Sequence, residues 1–320
     1  MKAIAQYRYG GAETLEVREI ERPAPKDDQV LVEVKAAGVD AGVWHLMTGE
    51  PYLMRVIGFG LRAPKTAIRG RDLAGRVVEV GAKVTRFQPG DEVFGTAEGT
   101  FAEYVAARED RLTHKPAEVS FEQAAATPIS AGTALGAVRG KVKPGTKVLI
   151  TGAAGGVGTF AVQLAKLYGA EVTGVCSTAK ADLVAALGAD HVIDHTREDF
   201  ADGNHQYDVI IDTAGSRDLR HVRKALTPKG RLVIVGGERD GKWFGVGRPL
   251  RAALLNLFVG QKIGGMLAKE SSAEFEELGA LMAEGKIRPA IDRTFQLSEA
   301  PDAIRYVQGG KARGKVVVTL

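Results

Sequence analysis

The stretch TKVLITGAAGGVGTFAVQLAKLYG, residues 146–169, constrains the chain more than any other. An apolar run, TKVLITG, leads into a glycine cluster and then into TFAVQLAKLYG, whose alanines and leucines recur at helical spacing up to Gly169. Strand, glycine turn and helix in this order open a βαβ unit. The alternation continues: AEVTGVCS reads as a strand, AKADLVAALG as a helix ending at Gly188, and HVIDH, YDVIIDTAG and GRLVIVGG as further strands. Short apolar strands separated by helices require a parallel sheet covered on both faces.

Within AAGGVG, residues 153–158, the GxGxxG fingerprint is met at Gly155 and Gly158, with Ala153 in the first slot. A turn free of Cβ atoms lets backbone amides approach a pyrophosphate, and the helix N-terminus adds unpaired N–H groups and a partial positive charge. An NAD site places a carboxylate about 20 residues past the first glycine to accept from the ribose 2′-hydroxyl. Between Val172 and Ala181 there is none; Ser177 and Thr178 offer hydroxyls and Lys180 a positive charge. That set favours the 2′-phosphate of NADP(H). The alternative for Lys180 is a solvated residue at a helix start.

The first third is strand and turn: KAIAQY, QVLVEVKAAGV, GRVVEVG and DEVFGT carry β-branched residues between Gly, Pro and Asp. SFEQAAATPISAGTALGAV reads as a helix opening at Ser120, SSAEFEELGALMAEGK as another, and the closing RGKVVVTL as a strand that returns to the first region, because a lone strand must pair somewhere. A chain of 320 residues exceeds the usual size of one core, so two domains are expected. The net charge of +4, from 43 basic and 39 acidic side chains, is too dilute to argue for nucleic acid. Cys176 is the single cysteine, which excludes an intramolecular disulfide and a four-cysteine zinc lobe and reads as a cytoplasmic chain. The N-terminus lacks a signal peptide's apolar core, and LRAALLNLFVG falls short of the roughly 20 residues that span a bilayer, so no membrane insertion is expected.

GRDLAGRVVEVGAKVTRFQPGDEVFG, residues 70–95, resembles the signature of the medium-chain dehydrogenase/reductase superfamily. AAGGVG behind it is similar to the zinc-free quinone oxidoreductase branch, and the likeness runs to the closing ARGKVVVTL. The resemblance implies an α/β chain: a Rossmann doubly wound parallel sheet over 121–268, and a chaperonin-10-like β-barrel domain from 1–120 and 269–320, with the cofactor cleft at their junction. Zinc-dependent members carry glycine, histidine and glutamate where this chain has Gly70, Arg71 and Asp72, and a cysteine where it has Asp40. No metal is therefore expected. His191 and His195 sit in a strand pattern without the glutamate of HExxH, and His45, His114, His205 and His221 are isolated.

By the same resemblance, Gly155, Gly156 and Val157 line the pyrophosphate, Ser177 and Lys180 the 2′-phosphate, and His195 stands near the adenosine phosphate. Thr127, Gly236 and Gly237 flank the nicotinamide, Ala214 the ribose, and Arg313 approaches from the barrel domain. Without a Lewis acid, the accessible task is hydride addition to an acceptor that delocalises charge, a quinone or an α,β-unsaturated carbonyl. Tyr52 is the candidate proton donor, and Asp40 the candidate partner of nicotinamide or substrate. Their alternatives are loop packing for Tyr52, helix capping for Asp40, and for Thr127 a hydroxyl satisfying its own helical turn. The basic segment 53–70 reads as a lid or as an exposed loop. Apolar residues in 241–260 suggest a homodimer. Two other functions stay open: a metal-free ketone or aldehyde reductase, and an NADPH-binding redox sensor with little turnover.

Overall fold

The computed structural model describes residues 1–320 apart from 51, 53, 54, 57–59, 237–251, 253, 254, 257, 258, 267 and 268. Two compact units divide the chain, residues 1–132 with 269–320 and residues 133–268. The division falls inside a helix, so the segment 121–132, grouped from sequence with the second domain, packs within the first.

The first unit begins with β1 (Lys2–Ala5), β2 (Glu16–Glu19), β3 (Gln29–Val39), α1 (Ala41–Thr48), β4 (Asp72–Val80), β5 (Glu92–Thr96), β6 (Tyr104–Arg108) and β7 (Leu112–His114). The stretch opening at Ser120 forms two helices rather than one, α2 (Phe121–Ala125) and α3 (Pro128–Val138). Ser120 caps α2 in a reciprocal capping box with Gln123. Pro128 lacks the N–H that would continue that helix, and instead opens the next.

In the second unit lie β8 (Lys147–Thr151), α4 (Gly156–Leu167), β9 (Glu171–Cys176), α5 (Ala181–Ala186), β10 (His191–Asp194), β11 (Tyr207–Asp212), α6 (Leu219–Lys224), β12 (Leu226–Ile234) and β13 (Lys262–Gly265). The six strands run in the order β10-β9-β8-β11-β12-β13, and every pairing is parallel. This is the doubly wound Rossmann sheet expected. The chain starts at β8, winds outward through β9 and β10, then returns to β11, leaving a topological switch point between β8 and β11. Strands β8 and β9 are buried beyond their first residue, as a sheet covered on both faces demands.

The chain then re-enters the first unit with α7 (Ser272–Ala283), β14 (Ile291–Gln296), α8 (Ala300–Gln308) and β15 (Lys315–Thr319). Here the strand order is β14-β15-β3-β4-β5-β7, with β6 also on β3. Flanked by β4, β6 and β15, β3 sends Val30, Val32 and Val34 into one apolar cluster with Leu73, Phe101 and Val316.

A buried lysine and aspartate meet inside this unit. Lys315, 1% exposed, donates from Nζ to Ser130 Oγ at 3.0 Å and lies 3.4 Å from Asp72 Oδ2. The other Asp72 oxygen accepts from Ile129 N at 3.0 Å. The pair ties the start of β15 to the start of β4 and the first turn of α3. Burial pushes the Asp72 carboxyl up to about 7, against the pull of Lys315 and with a further push from Asp40. A carboxyl raised in the folded state holds its proton more tightly there, so its contribution to stability is complete below the unfolded value of about 4 and is lost as pH climbs through about 7. Lys315→Met is expected to cost roughly 3–5 kcal/mol in urea unfolding. The wild-type advantage over Asp72→Asn is expected to shrink between pH 5 and pH 8.

Candidate functional site

At the carboxyl end of β8, the turn into α4 is tighter than the fingerprint alone suggests. The glycine in the left-handed region is Gly152, at φ +65°, one residue ahead of the first slot assigned to Ala153. Ala153 instead donates from N to Val175 O at 3.0 Å, pinning the turn to β9. Gly158 is the contact glycine: a Cβ there would lie 2.1 Å from Gly152 O and 2.8 Å from Ala153 Cα. Gly155 is less crowded: a Cβ there would meet Gly152 O alone, at 3.3 Å. As the N-cap of α4, Gly155 supplies no side chain to the first-turn N–H groups of Gly156, Val157 and Gly158. A partly exposed, positively polarised helix end bordered by a Cβ-free backbone fits a phosphate.

The other strand ends gather around this turn. Thr151 Oγ1 donates to the buried Asp212 Oδ1 at 2.5 Å, and Thr213 Oγ1 donates to Thr151 O at 2.7 Å. Ala214 N lies 3.4 Å from Thr151 Oγ1, which sets Ala214 beside the turn across the switch point. Gly236 follows β12, with N 3.4 Å from Asp212 O. Gly237 lies outside the described residues.

Beyond β9, Ser177 precedes a short 3-10 turn, Thr178–Lys180, and His195 is exposed at the end of β10, its N–H on Cys176 O at 3.0 Å. Parallel pairing also delivers a residue that the sequence reading passed over. Asp194, opposite Cys176 in the β9–β10 register, accepts from the hydroxyls of Thr178 and Thr196, which hold its carboxyl down at about 2. The neighbourhood of Ser177 and Lys180 is therefore not free of carboxylate, although the segment 172–181 is.

In the first unit, Asp40, Asp72 and Lys315 converge where β3 ends and β4 and β15 begin, since Val39 pairs with Val316. Asp40 does cap α1, its Oδ1 accepting from Gly42 N at 2.6 Å. Its Oδ2 is buried without a hydrogen-bond partner. Arg313 leads into β15 through Gly314, whose φ of +105° and 2.2 Å approach to Ala290 O admit only glycine; Arg313 N donates to Asp292 Oδ2 at 3.0 Å.

Tyr52 packs its ring under Arg55, 4.5 Å from the guanidinium carbon to the ring centroid, and no hydrogen bond joins it to Asp40. Arg55 is fixed by Gly49 O and Thr48 O at 2.9 and 2.8 Å. Thr127 is fully buried, its hydroxyl 2.8 Å from Gln123 O in its own helical turn and 3.2 Å from Met282 Sδ. Part of the segment 53–70 and most of 241–260 lie outside the described residues.

A zinc ion does not fit these residues. Where zinc-dependent members have their ligands, Arg71 offers a guanidinium held by Glu270 at 2.7 Å, Asp72 is committed to Lys315 and Ile129, and one Asp40 oxygen remains. Among the described residues no group of three or more His, Cys, Asp or Glu side chains could hold a metal ion, and no described helix is long and apolar enough to cross a membrane.

Residues 26–117 match the alcohol dehydrogenase GroES-like domain and residues 187–318 the zinc-binding dehydrogenase family. A chloroplastic quinone oxidoreductase of Triphysaria versicolor is 34% identical over 99% of this chain and 98% of its own. A chloroplastic NADPH-dependent alkenal/one oxidoreductase of Arabidopsis thaliana is 34% identical over 99% of this chain and 79% of its own. Among solved structures, the Escherichia coli quinone oxidoreductase complexed with NADPH superposes with a TM-score of 0.85 at 26% identity, covering 100% of both chains. The chain belongs to the medium-chain dehydrogenase/reductase superfamily, in its quinone oxidoreductase-like branch, and is an oxidoreductase.

Gly158→Ala is expected to lower stability by roughly 1–3 kcal/mol, since both obstructing atoms are backbone. Gly155→Ala, whose Cβ would meet one atom at 3.3 Å, is expected to cost less in the same urea titration.

Proposed function

We propose that the chain is an NADPH-dependent, zinc-independent reductase that delivers a hydride to a quinone or an α,β-unsaturated carbonyl. The observation that carries the reading is the uncapped N-terminus of α4, set against a Cβ-free backbone at the switch point between β8 and β11. Support comes also from relatives described as a quinone oxidoreductase and as an NADPH-dependent alkenal/one oxidoreductase.

In this reading Gly155, Gly156 and Val157 hold the pyrophosphate, with Ala214 and Gly236 bordering the adjoining ribose and nicotinamide. Ser177 and Lys180 take the 2′-phosphate, and His195 borders the adenosine phosphate. Asp194 is the charge that Lys180 and the nearby amides must outweigh, because a second anion at that strand end repels the phosphate. Bound NADPH supplies the hydride, and an acceptor that delocalises the added charge needs no Lewis acid. Asp40, through its free Oδ2, accepts an N–H from the nicotinamide amide or a hydroxyl from substrate. Tyr52 keeps the role of proton donor, and Arg313 that of a cofactor contact. Thr127 borders the nicotinamide through its backbone, as its hydroxyl is engaged internally. A homodimer and a cytoplasmic location complete the proposal; light scattering on the purified chain tests the first.

Following NADPH oxidation with a quinone, an enone and a simple aldehyde separates the alternatives. Turnover of the first two alone is expected. Aldehyde turnover at a similar rate would favour the metal-free carbonyl reductase, and tight NADPH binding without any turnover the redox sensor. Lys180→Ala is expected to weaken NADPH binding about tenfold relative to NADH, the loss of one charge-assisted hydrogen bond. Asp194→Asn is expected to tighten NADPH binding, and fluorescence titration reads both.

A further inference from the structure

A cavity of about 300 Å³ opens within the first unit, lined by Val43, Leu46, Lys65, Arg69, Arg71 and Glu98 among others. Arg69 is 5% exposed. Its Nε and Nη2 are buried with no hydrogen-bond partner, and Nη1 has one long contact, 3.5 Å to Leu46 O. Arg69 forms no ion pair among the described residues. A guanidinium carries five N–H donors and keeps its proton, so most of the donors of Arg69 are left for whatever enters the cavity.

The backbone leaves Arg69 no freedom to withdraw. Arg69 N donates to Ile4 O at 3.2 Å, and its O accepts from Phe101 N at 2.9 Å. Gly70, at φ +93°, makes the sharp turn that follows; a Cβ there would lie 2.4 Å from Thr100 Oγ1. The neighbouring charges differ. Arg71 is countered by Glu270, whose two carboxylate oxygens lie 2.9 and 2.7 Å from Nη2. Glu98 is exposed and accepts from Thr66 Oγ1 at 2.8 Å. Lys65 adds a further positive charge to the cavity wall. The cavity wall thus carries three cations to one anion, and that anion, Glu98, acts on Arg69 through space without forming an ion pair with it.

We propose that this cavity binds an anionic group of the substrate, so that the preferred acceptor is an α,β-unsaturated carbonyl compound carrying a carboxylate, seated on the unpaired N–H groups of Arg69. The inference rests on the reductase reading given above for its acceptor chemistry. Arg71, beside Arg69, stands where the zinc-dependent members carry a ligand. The carboxylate completes the guanidinium's hydrogen bonds where no side chain among the described residues does.

Two measurements test this. Wild-type protein is heated with 4-oxopentanoate, a saturated and unreactive keto acid, and separately with its methyl ester at matched ionic strength. The acid is expected to raise the unfolding midpoint and the ester not; equal effects would overturn the proposal, whether or not any acceptor is turned over. Next, kcat/KM is compared for (E)-4-oxopent-2-enoate and its methyl ester. Wild type is expected to prefer the acid at least about tenfold, as a charge-assisted contact implies, and Arg69→Met to lose that preference while Arg69→Lys retains part of it. A preference that survives in Arg69→Met, or an NADPH dissociation constant that rises in that variant as much as the preference falls, would overturn the assignment. If neither compound is reduced while the keto acid still stabilises the protein, the reductase reading fails and the anion site stands.

Discussion

A Cβ on Gly158 would stand 2.1 Å from the carbonyl oxygen of Gly152, so α4 can begin where it does only because that position carries a hydrogen. The approach aims the first-turn N–H groups of α4 past the end of β8, and the left-handed Gly152 clears the same space from the other side. Threonines on both sides of the switch point then lock the turn: Thr151 to Asp212, and Thr213 back to Thr151 O. A helix end held this way presents donors that no side chain caps, the deficit to which the proposed phosphate contact is assigned.

The first unit uses polar groups in the opposite manner. Lys315, Asp72, Ser130 and the Ile129 amide satisfy one another in the interior. A buried pair of this kind contributes little net stability but penalises its own disruption, so it fixes the register of β15 against β4 and the start of α3. Among the described residues, Asp40 Oδ2 and the Arg69 guanidinium are among the buried groups of this unit left without a full set of hydrogen-bond partners, as are Arg71 Nε and Thr100 Oγ1. Asp40 Oδ2 and the Arg69 guanidinium are the groups to which the proposed contacts with nicotinamide or substrate are assigned.

Local patterns in the sequence made much of this readable. The strand runs, the Ser120 cap and the glycine cluster before α4 each follow from a few neighbouring residues, so their physics is visible in one short window. Pro128 was equally visible, and its lack of an N–H explains why one anticipated helix is two. What escaped depends on register across strands. Asp194 lies outside the window searched for a carboxylate, yet parallel pairing of β10 with β9 sets it opposite Cys176, within reach of Thr178. Nothing local marks Lys315 as interior, because its partner Asp72 lies 243 residues away. Nothing in the string of basic residues before Gly70 distinguishes Arg69, because its isolation arises from the turn at Gly70 and the strand contacts that bury it.

The account centres on a dinucleotide gripped by the end of α4 without help from a metal. Calorimetric titration of the metal-stripped chain with NADPH tests this most directly. One saturable site per chain, tighter for NADPH than for NADH and unchanged by added zinc, is the predicted result. Absence of saturable heat, or binding that appears only when zinc is restored, would contradict it.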